Sequence, residues 1–300
     1  MGFFKTLFTG REETDEEKIQ QKKQNQFDVF KYDGIQALNI HQTDYAIACF
    51  EHALEIQEDN ETRQYYVKAL LSNDNTDEAI AQLEILAKNQ PEEPLNLLTL
   101  AELYLQQEKY DKVDEACDKC IQIDDTLAMP HYIKAKKYNI TKDLINAVAQ
   151  STIAITKKPD MLEAYKLRAE ILFAMQQYAE AEADIDHILT SMHTDNIEDI
   201  DYEILLLKAD ICHALTKDEE AKTYYNKVIS FNPYATKAYL KLGEILMKEG
   251  KNKEAASIVE EGLKYAPEEV QGITGNFTNF EDKMREAYNA INPYQLGINL

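Results

Sequence analysis

The chain has 300 residues and carries 54 acidic against 32 basic side chains, a formal charge of −22. Such a surface repels phosphate and acidic lipid, which excludes nucleic acid as a partner and favours a basic or mixed-charge one. With 44% apolar residues but only 9 glycines and 7 prolines it can bury a core in long helices, and it lacks the alternating Val- and Thr-rich runs of strands.

Taken in chain order, the first segment is MGFFKTLF. Its large side chains Phe3, Phe4, Leu7 and Phe8 are interrupted by Lys5. That run is too short for a signal peptide or a membrane span. It reads as a frayed end or as a short amphipathic foot for a membrane or a protein. Met1-Gly2 with Thr6 also fits the short N-myristoylation pattern. Thr14 and Glu17 have the spacing of a capping box, which predicts a polar lead-in helix that ends the 1–26 segment and runs straight into the next one.

From Phe27 onward one pattern recurs. Pro91 and Pro159 are 68 apart, and Pro233 and Pro267 are 34 apart. Placing each proline at position 32 of a 34-residue unit puts Ala79, Ala147, Ala221 and Ala255 at position 20 without adjustment. Units then begin at Phe27, Asn60, Pro94, Ala128, Leu162, Tyr202 and Thr236, in steps of 33, 34, 34, 34, 40 and 34. Positions 8, 20 and 27 are mostly small, as at Gly34, Ala46 and Ala53, or Gly243, Ala255 and Gly262. Positions 4, 7, 11 and 24 are mostly large and apolar, as at Leu97, Leu100 and Tyr104. The step of 40 reflects six extra residues near Ser191–Asp201, read as a longer loop or extra turn, or as a binding loop or hinge. After the last unit, Thr278 and Glu281 have capping-box spacing. The segment that follows aligns Phe280, Met284, Ala287, Tyr288 and Ile291 as the apolar face of a capping helix, and YQLGINL is an apolar tail.

This pattern resembles the tetratricopeptide repeat (TPR) family, over Phe27 to about Glu269. It departs from the family in having no tryptophan at position 4, where Phe30, Arg63, Leu97, His131, Tyr165, Leu205 and Tyr239 stand. The unit from Asn60, with Arg63 at 4 and Val67 at 8, is the poorest match. The resemblance implies an all-α fold, a right-handed α-solenoid of about seven TPR helix pairs with a C-terminal capping helix. Each unit would be two antiparallel helices, A then B, with small residues at the close approaches. The expected organisation is a lead-in at 1–26 and an array at 27–269, followed by a cap and tail at 270–300. The units fall near 27–59, 60–93, 94–127, 128–161, 162–201, 202–235 and 236–269.

Searching for chemistry gives little. Cys117 and Cys120 form a C-x-x-C, but at positions 24 and 27, where core residues belong, and no second pair completes a zinc site. Six histidines lack ligand spacing, and no glycine-rich phosphate loop or G-x-S-x-G appears. The reading is therefore not an enzyme, with no cofactor and no metal. Four cysteines in a chain this long suit a reducing cytoplasm better than a disulfide framework.

In the resembled family, positions 5 and 9 of the A helices face a concave groove. Carried over, they are Lys31 and Ile35, Gln64 and Lys68, Leu98 and Glu102, Tyr132 and Lys136. They continue as Lys166 and Glu170, Leu206 and Asp210, Leu240 and Glu244. Apolar spots among changing charges suit an extended peptide or a helix of mixed charge. The family's clamp for two carboxylates is not intact, because Ile35 follows Lys31, Glu170 follows Lys166 and Leu207 replaces a required Asn. The implied function is a non-enzymatic protein-binding adaptor or assembly factor. The alternative is a self-assembling or membrane-anchored scaffold that uses the C-terminal tail or the N-terminal foot, with membrane contact confined to residues 1–8.

Overall fold

The computed structural model describes residues 14–191 and 201–265. The N-terminal foot, most of the insertion near 191–201, and the C-terminal cap and tail lie outside the described residues. Every regular element among the described residues is an α-helix. In chain order they are α1 (Asp15–Asn39), α2 (Thr43–Ile56), α3 (Asn60–Ser72), α4 (Thr76–Asn89), α5 (Pro94–Gln106), α6 (Tyr110–Ile123) and α7 (Met129–Ile140). They continue as α8 (Leu144–Lys157), α9 (Leu162–Ala174), α10 (Tyr178–Ser191), α11 (Tyr202–Ala214), α12 (Asp218–Phe231), α13 (Thr236–Lys248) and α14 (Asn252–Lys264). The chain divides into two compact bodies, Met1–Lys137 and Tyr138–Leu300. Within each body, helices adjacent in the chain pack on one another, as α1 on α2, α2 on α3 and α3 on α4 in the first, and α11 on α12, α12 on α13 and α13 on α14 in the second. The fold is an all-α helical-repeat solenoid.

The start of α1 is fixed by the predicted capping box. The Thr14 hydroxyl accepts from the Glu17 amide at 3.2 Å, and the Glu17 carboxylate accepts from the Thr14 amide at 2.8 Å. These bonds satisfy two groups that a helix end leaves bare. The helix then runs through Phe27 without a break to Asn39.

One local device ends every A helix. Residues His41, Asp74, Glu108, Lys142, Gln176, Thr216 and Gly250 have φ between 56° and 77°. Each is position 15 of its unit. Around each, two crossed bonds close the helix end, as Gln42 N–H to Ala37 O (2.9 Å) with His41 N–H to Leu38 O (3.2 Å). The same pair recurs at Asn75 and Asp74, Lys109 and Glu108, Asp143 and Lys142, Gln177 and Gln176, Lys217 and Thr216, and Lys251 and Gly250. This is the Schellman arrangement, in which a left-handed residue satisfies the last carbonyls and reverses the chain into the next helix.

Packing follows the small positions. Position 20, occupied by Ala46, Ala79, Val113, Ala147, Ala181, Ala221 and Ala255, is fully buried in all seven units. A Cβ built on Gly34 would lie 2.7 Å from Phe50, and one on Gly243 would lie 2.6 Å from Val259. At these two places the A backbone rests directly on a large position-24 side chain of the B helix. Arg63, the odd residue at position 4, is buried and satisfied by the side chains of Gln82 and Glu58. Polar keys also join units within each body. Lys137 pairs with Asp114 at 2.7 Å, Lys134 with Asp118 at 2.6 Å, and buried Lys208 with Asp186 at 2.6 Å.

Candidate functional site

The candidate residues lie on successive A helices, four pairs in the first body and three in the second. In the first body, Gln64, Lys68 and Glu102 are exposed, and Leu98, Tyr132, Lys136 and Ile35 are half-buried. The Lys136 ammonium lies over the Tyr132 ring, 5.7 Å from its centroid, so cation and aromatic face form one unit. Packing of α5 against α4 and α6 holds Leu98 and Glu102 on the face of α5 away from Leu97, Leu100 and Tyr104. At 3.6 residues per turn the two faces are about 150° apart.

Two of the predicted lysines are committed to structure. Lys31 bonds Asp59 at 3.1 Å and Glu61 at 2.6 Å. Lys166 bonds Asp201 at 2.8 Å and Glu203 at 2.7 Å. Asp59 caps α3 by accepting from the Thr62 amide, and Asp201 caps α11 by accepting from the Glu203 amide. Burial alone would push the Lys31 ammonium down, but the hydrogen bonds to Glu61 and Asp59 hold it above its ordinary value. Burial likewise pushes the Asp59 carboxyl up, and the bonds from Thr62 and Lys31 outweigh it, so the group titrates below its ordinary value. Lys166 and Asp201 repeat this pattern, the first raised and the second lowered.

In the second body, Glu170 is exposed and Leu206 and Glu244 are half-buried. Glu244 accepts from Lys241 at 2.8 Å. Asp210 is only 9% exposed, accepts from the buried Tyr225 hydroxyl at 2.7 Å and pairs with Lys237 at 2.5 Å. Leu240 is also buried, packed with Tyr239, Ala256 and Val259. These two positions therefore offer a ligand little surface. Nothing in the one-dimensional pattern marks them off, because their covering partners sit on the paired B helix and on the next unit.

The C-x-x-C pair is core. Cys117 and Cys120 are fully buried and unpaired, and burial pushes their thiols up, to about 12 and about 11. A thiol so shifted carries almost no thiolate at neutral pH and is a poor nucleophile. Among the described residues, one trio with metal-binding side chains converges, Glu182, Cys212 and Glu220. Glu182 is occupied by Lys208 at 3.1 Å and Lys217 at 2.7 Å, so the cluster serves as a salt bridge. No described helix is long and apolar enough to cross a membrane.

Known proteins agree with this architecture. Two tetratricopeptide repeat family models match, one at residues 202–234 and 236–269 and the other at residues 67–112. No curated protein matches the sequence. Among solved structures, YrrB, described as a TPR protein with an unusual peptide-binding site, is 13% identical, with a TM-score of 0.55 over 62% of this chain and 93% of its own. A tetratricopeptide repeat protein from Parabacteroides merdae is 11% identical, with a TM-score of 0.61 over 87% of this chain and 99% of its own. Yeast Tom70 is 16% identical, with a TM-score of 0.52 over 89% of this chain and 55% of its own. The matched family models, the common phase of seven helix pairs and these fold neighbours make the chain a tetratricopeptide repeat protein.

Proposed function

We propose that the chain is a non-enzymatic adaptor or assembly factor that holds a peptide or helix of a protein partner on its A-helix face. The observation that carries this reading is the row Gln64, Lys68, Leu98, Glu102, Tyr132 and Lys136 in the first body. These side chains remain reachable while their helices are fixed from behind by packed B helices. A preformed surface lowers the ordering cost of binding. Lys68 and Lys136 flank Glu102, and Leu98 and Tyr132 supply apolar ground between them, which suits a segment of mixed charge. That YrrB, which shares the fold, carries a peptide-binding site supports the same use here. Asp210, Leu240, Lys31 and Lys166 shape the surface rather than meet the ligand. Four free, buried thiols support a reducing cytoplasmic setting. The scaffold alternative rests on residues 1–8 and 294–300, outside the described residues.

The test is affinity capture from the native cell with the full chain, repeated with Lys68→Glu combined with Lys136→Glu. Partners held on this face are lost from the double variant while its helical circular dichroism is unchanged. Retention of every partner refutes the reading.

A further inference from the structure

A second cleft lies in the first body, away from the row just described. It encloses about 750 Å³ between the B helices α4 and α6, with Leu97, Leu100 and Tyr104 of α5 as its floor. That volume is in the range of ligand sites. Its origin can be read residue by residue. At position 28 the other six units carry Leu54, Ile121, Ile155, Leu189, Ile229 and Leu263, but the second unit carries Ala87. At position 23 the third unit carries Ala116, where the others carry Cys49 or a larger residue. Both alanines line the cleft. The hollow is thus space that large side chains take up in the sister units.

The rim chemistry narrows the occupant. Lys112 is paired with Glu84 at 3.2 Å and lies over the Tyr104 ring, and Lys119 is paired with Glu115 at 2.8 Å. Lys88, next to Ala87, makes no ion pair among the described residues, and the rim carboxylate Glu92 does not pair with it. An apolar hollow short of large aliphatic groups, beside an uncompensated cation, is complementary to a helix face carrying both features. We infer that this cleft is a second protein-binding site, which takes a short partner helix with two large aliphatic side chains one turn apart and an adjacent carboxylate. The partner's aliphatic groups fill the space left by Ala87 and Ala116, and its carboxylate meets Lys88. This site stands independently of the A-helix face, since Leu98 and Glu102 lie on the far side of α5.

The experiment uses the full chain and a displayed library of 16-residue amphipathic helices, selected on the natural sequence. Ala87→Leu restores the side chain typical of the position and should leave the melting temperature unchanged or higher. Selected helices are expected to carry the aliphatic pair and the carboxylate. They should bind Ala87→Leu at least tenfold more weakly, bind Lys88→Glu several-fold more weakly, and bind the Lys68→Glu, Lys136→Glu variant as before. Equal binding to Ala87→Leu, or selection yielding no helix that discriminates it, overturns the proposal. So does a dimer of the natural chain that Ala87→Leu dissolves, which would make a second copy the occupant, or displacement of the helices by dodecanoate at micromolar concentration. Loss of native partners in the Lys68→Glu, Lys136→Glu variant alone bears only on the A-helix face.

Discussion

Replacing Gly250 with alanine isolates the energetics of the turn that ends each A helix. Its φ is +77°, and a Cβ at this position would meet nothing within 4 Å. Packing therefore contributes no penalty, and the cost is conformational. An L residue in the left-handed region loses roughly 1–2 kcal/mol, while alanine's narrower unfolded ensemble returns about 0.4–1 kcal/mol. The net expectation is a loss of about 1 kcal/mol, or about fivefold in the local opening equilibrium. The converse applies at Thr216, a β-branched residue held at φ 60° in the equivalent position. Thr216→Gly forfeits only an exposed hydroxyl bond to Leu215 O and should gain about 1 kcal/mol. Repeat arrays do not always unfold as one unit, so the assay is native-state hydrogen exchange at the turn amides. The Lys251 and Gly250 amides, bonded to Leu246 O and Met247 O, report the first variant, and the Lys217 and Thr216 amides report the second. An unchanged opening equilibrium in Gly250→Ala, or faster exchange in Thr216→Gly, would refute the reasoning.

Ala255 is fully buried at position 20, so Ala255→Leu should overpack α13 against α14 and cost roughly 1–3 kcal/mol, read as a lower urea midpoint. Asp59→Asn keeps a capping oxygen for the Thr62 amide but removes the charge facing Lys31, so a loss of about 1 kcal/mol is expected at pH 7. Because the Asp59 carboxyl titrates below its ordinary 3.8 when folded, its contribution is present above that value and fades as pH falls through the folded pKa. Lys31, raised above 10.5, contributes below that pH and loses its part as pH rises further. Urea titrations at pH 7 and pH 3 should therefore separate natural and Asp59→Asn chains at the first pH and converge at the second. Thiol titration should find Cys117 and Cys120 labelled only as fast as their helices open, and prompt labelling at pH 8 would contradict their burial.

The sequence carries the helix pairs plainly, because close packing of A on B demands small residues at 8 and 20 whatever surrounds them. It carries the Thr14 capping box for the same reason, as two side chains three residues apart suffice. The left-handed turn at position 15 is invisible to pattern reading. Six of the seven residues there, such as Glu108 and Lys142, are not the glycine that usually signals it. The crossed hydrogen bonds impose that conformation against local preference. The candidate surface is only half legible for a related reason. Position number says which way a side chain points, but Asp210 is covered by Tyr225 and Lys237, and no spacing rule on α11 alone reveals that. The cleft between α4 and α6 needed both levels. Ala87 is one more alanine until its six counterparts are set beside it.

The two committed lysines explain how an array tolerates an insertion. Lys31 reaches the N-cap of the following A helix and the acidic residue two positions on, and Lys166 does the same. Asp59 follows Lys31 by 28 residues, while Asp201 follows Lys166 by 35, and both end in the same arrangement. The extra residues before Asp201 therefore leave the next helix start keyed to the preceding unit. Each key places one cation against two carboxylates at the edge of successive A helices, where peptide-binding charge might otherwise be sought. The charges left for recognition in the first body are those without such a duty, Lys68, Glu102 and the ring-stacked Lys136. Their alternation along α3, α5 and α7 gives the proposed ligand both a direction and a register.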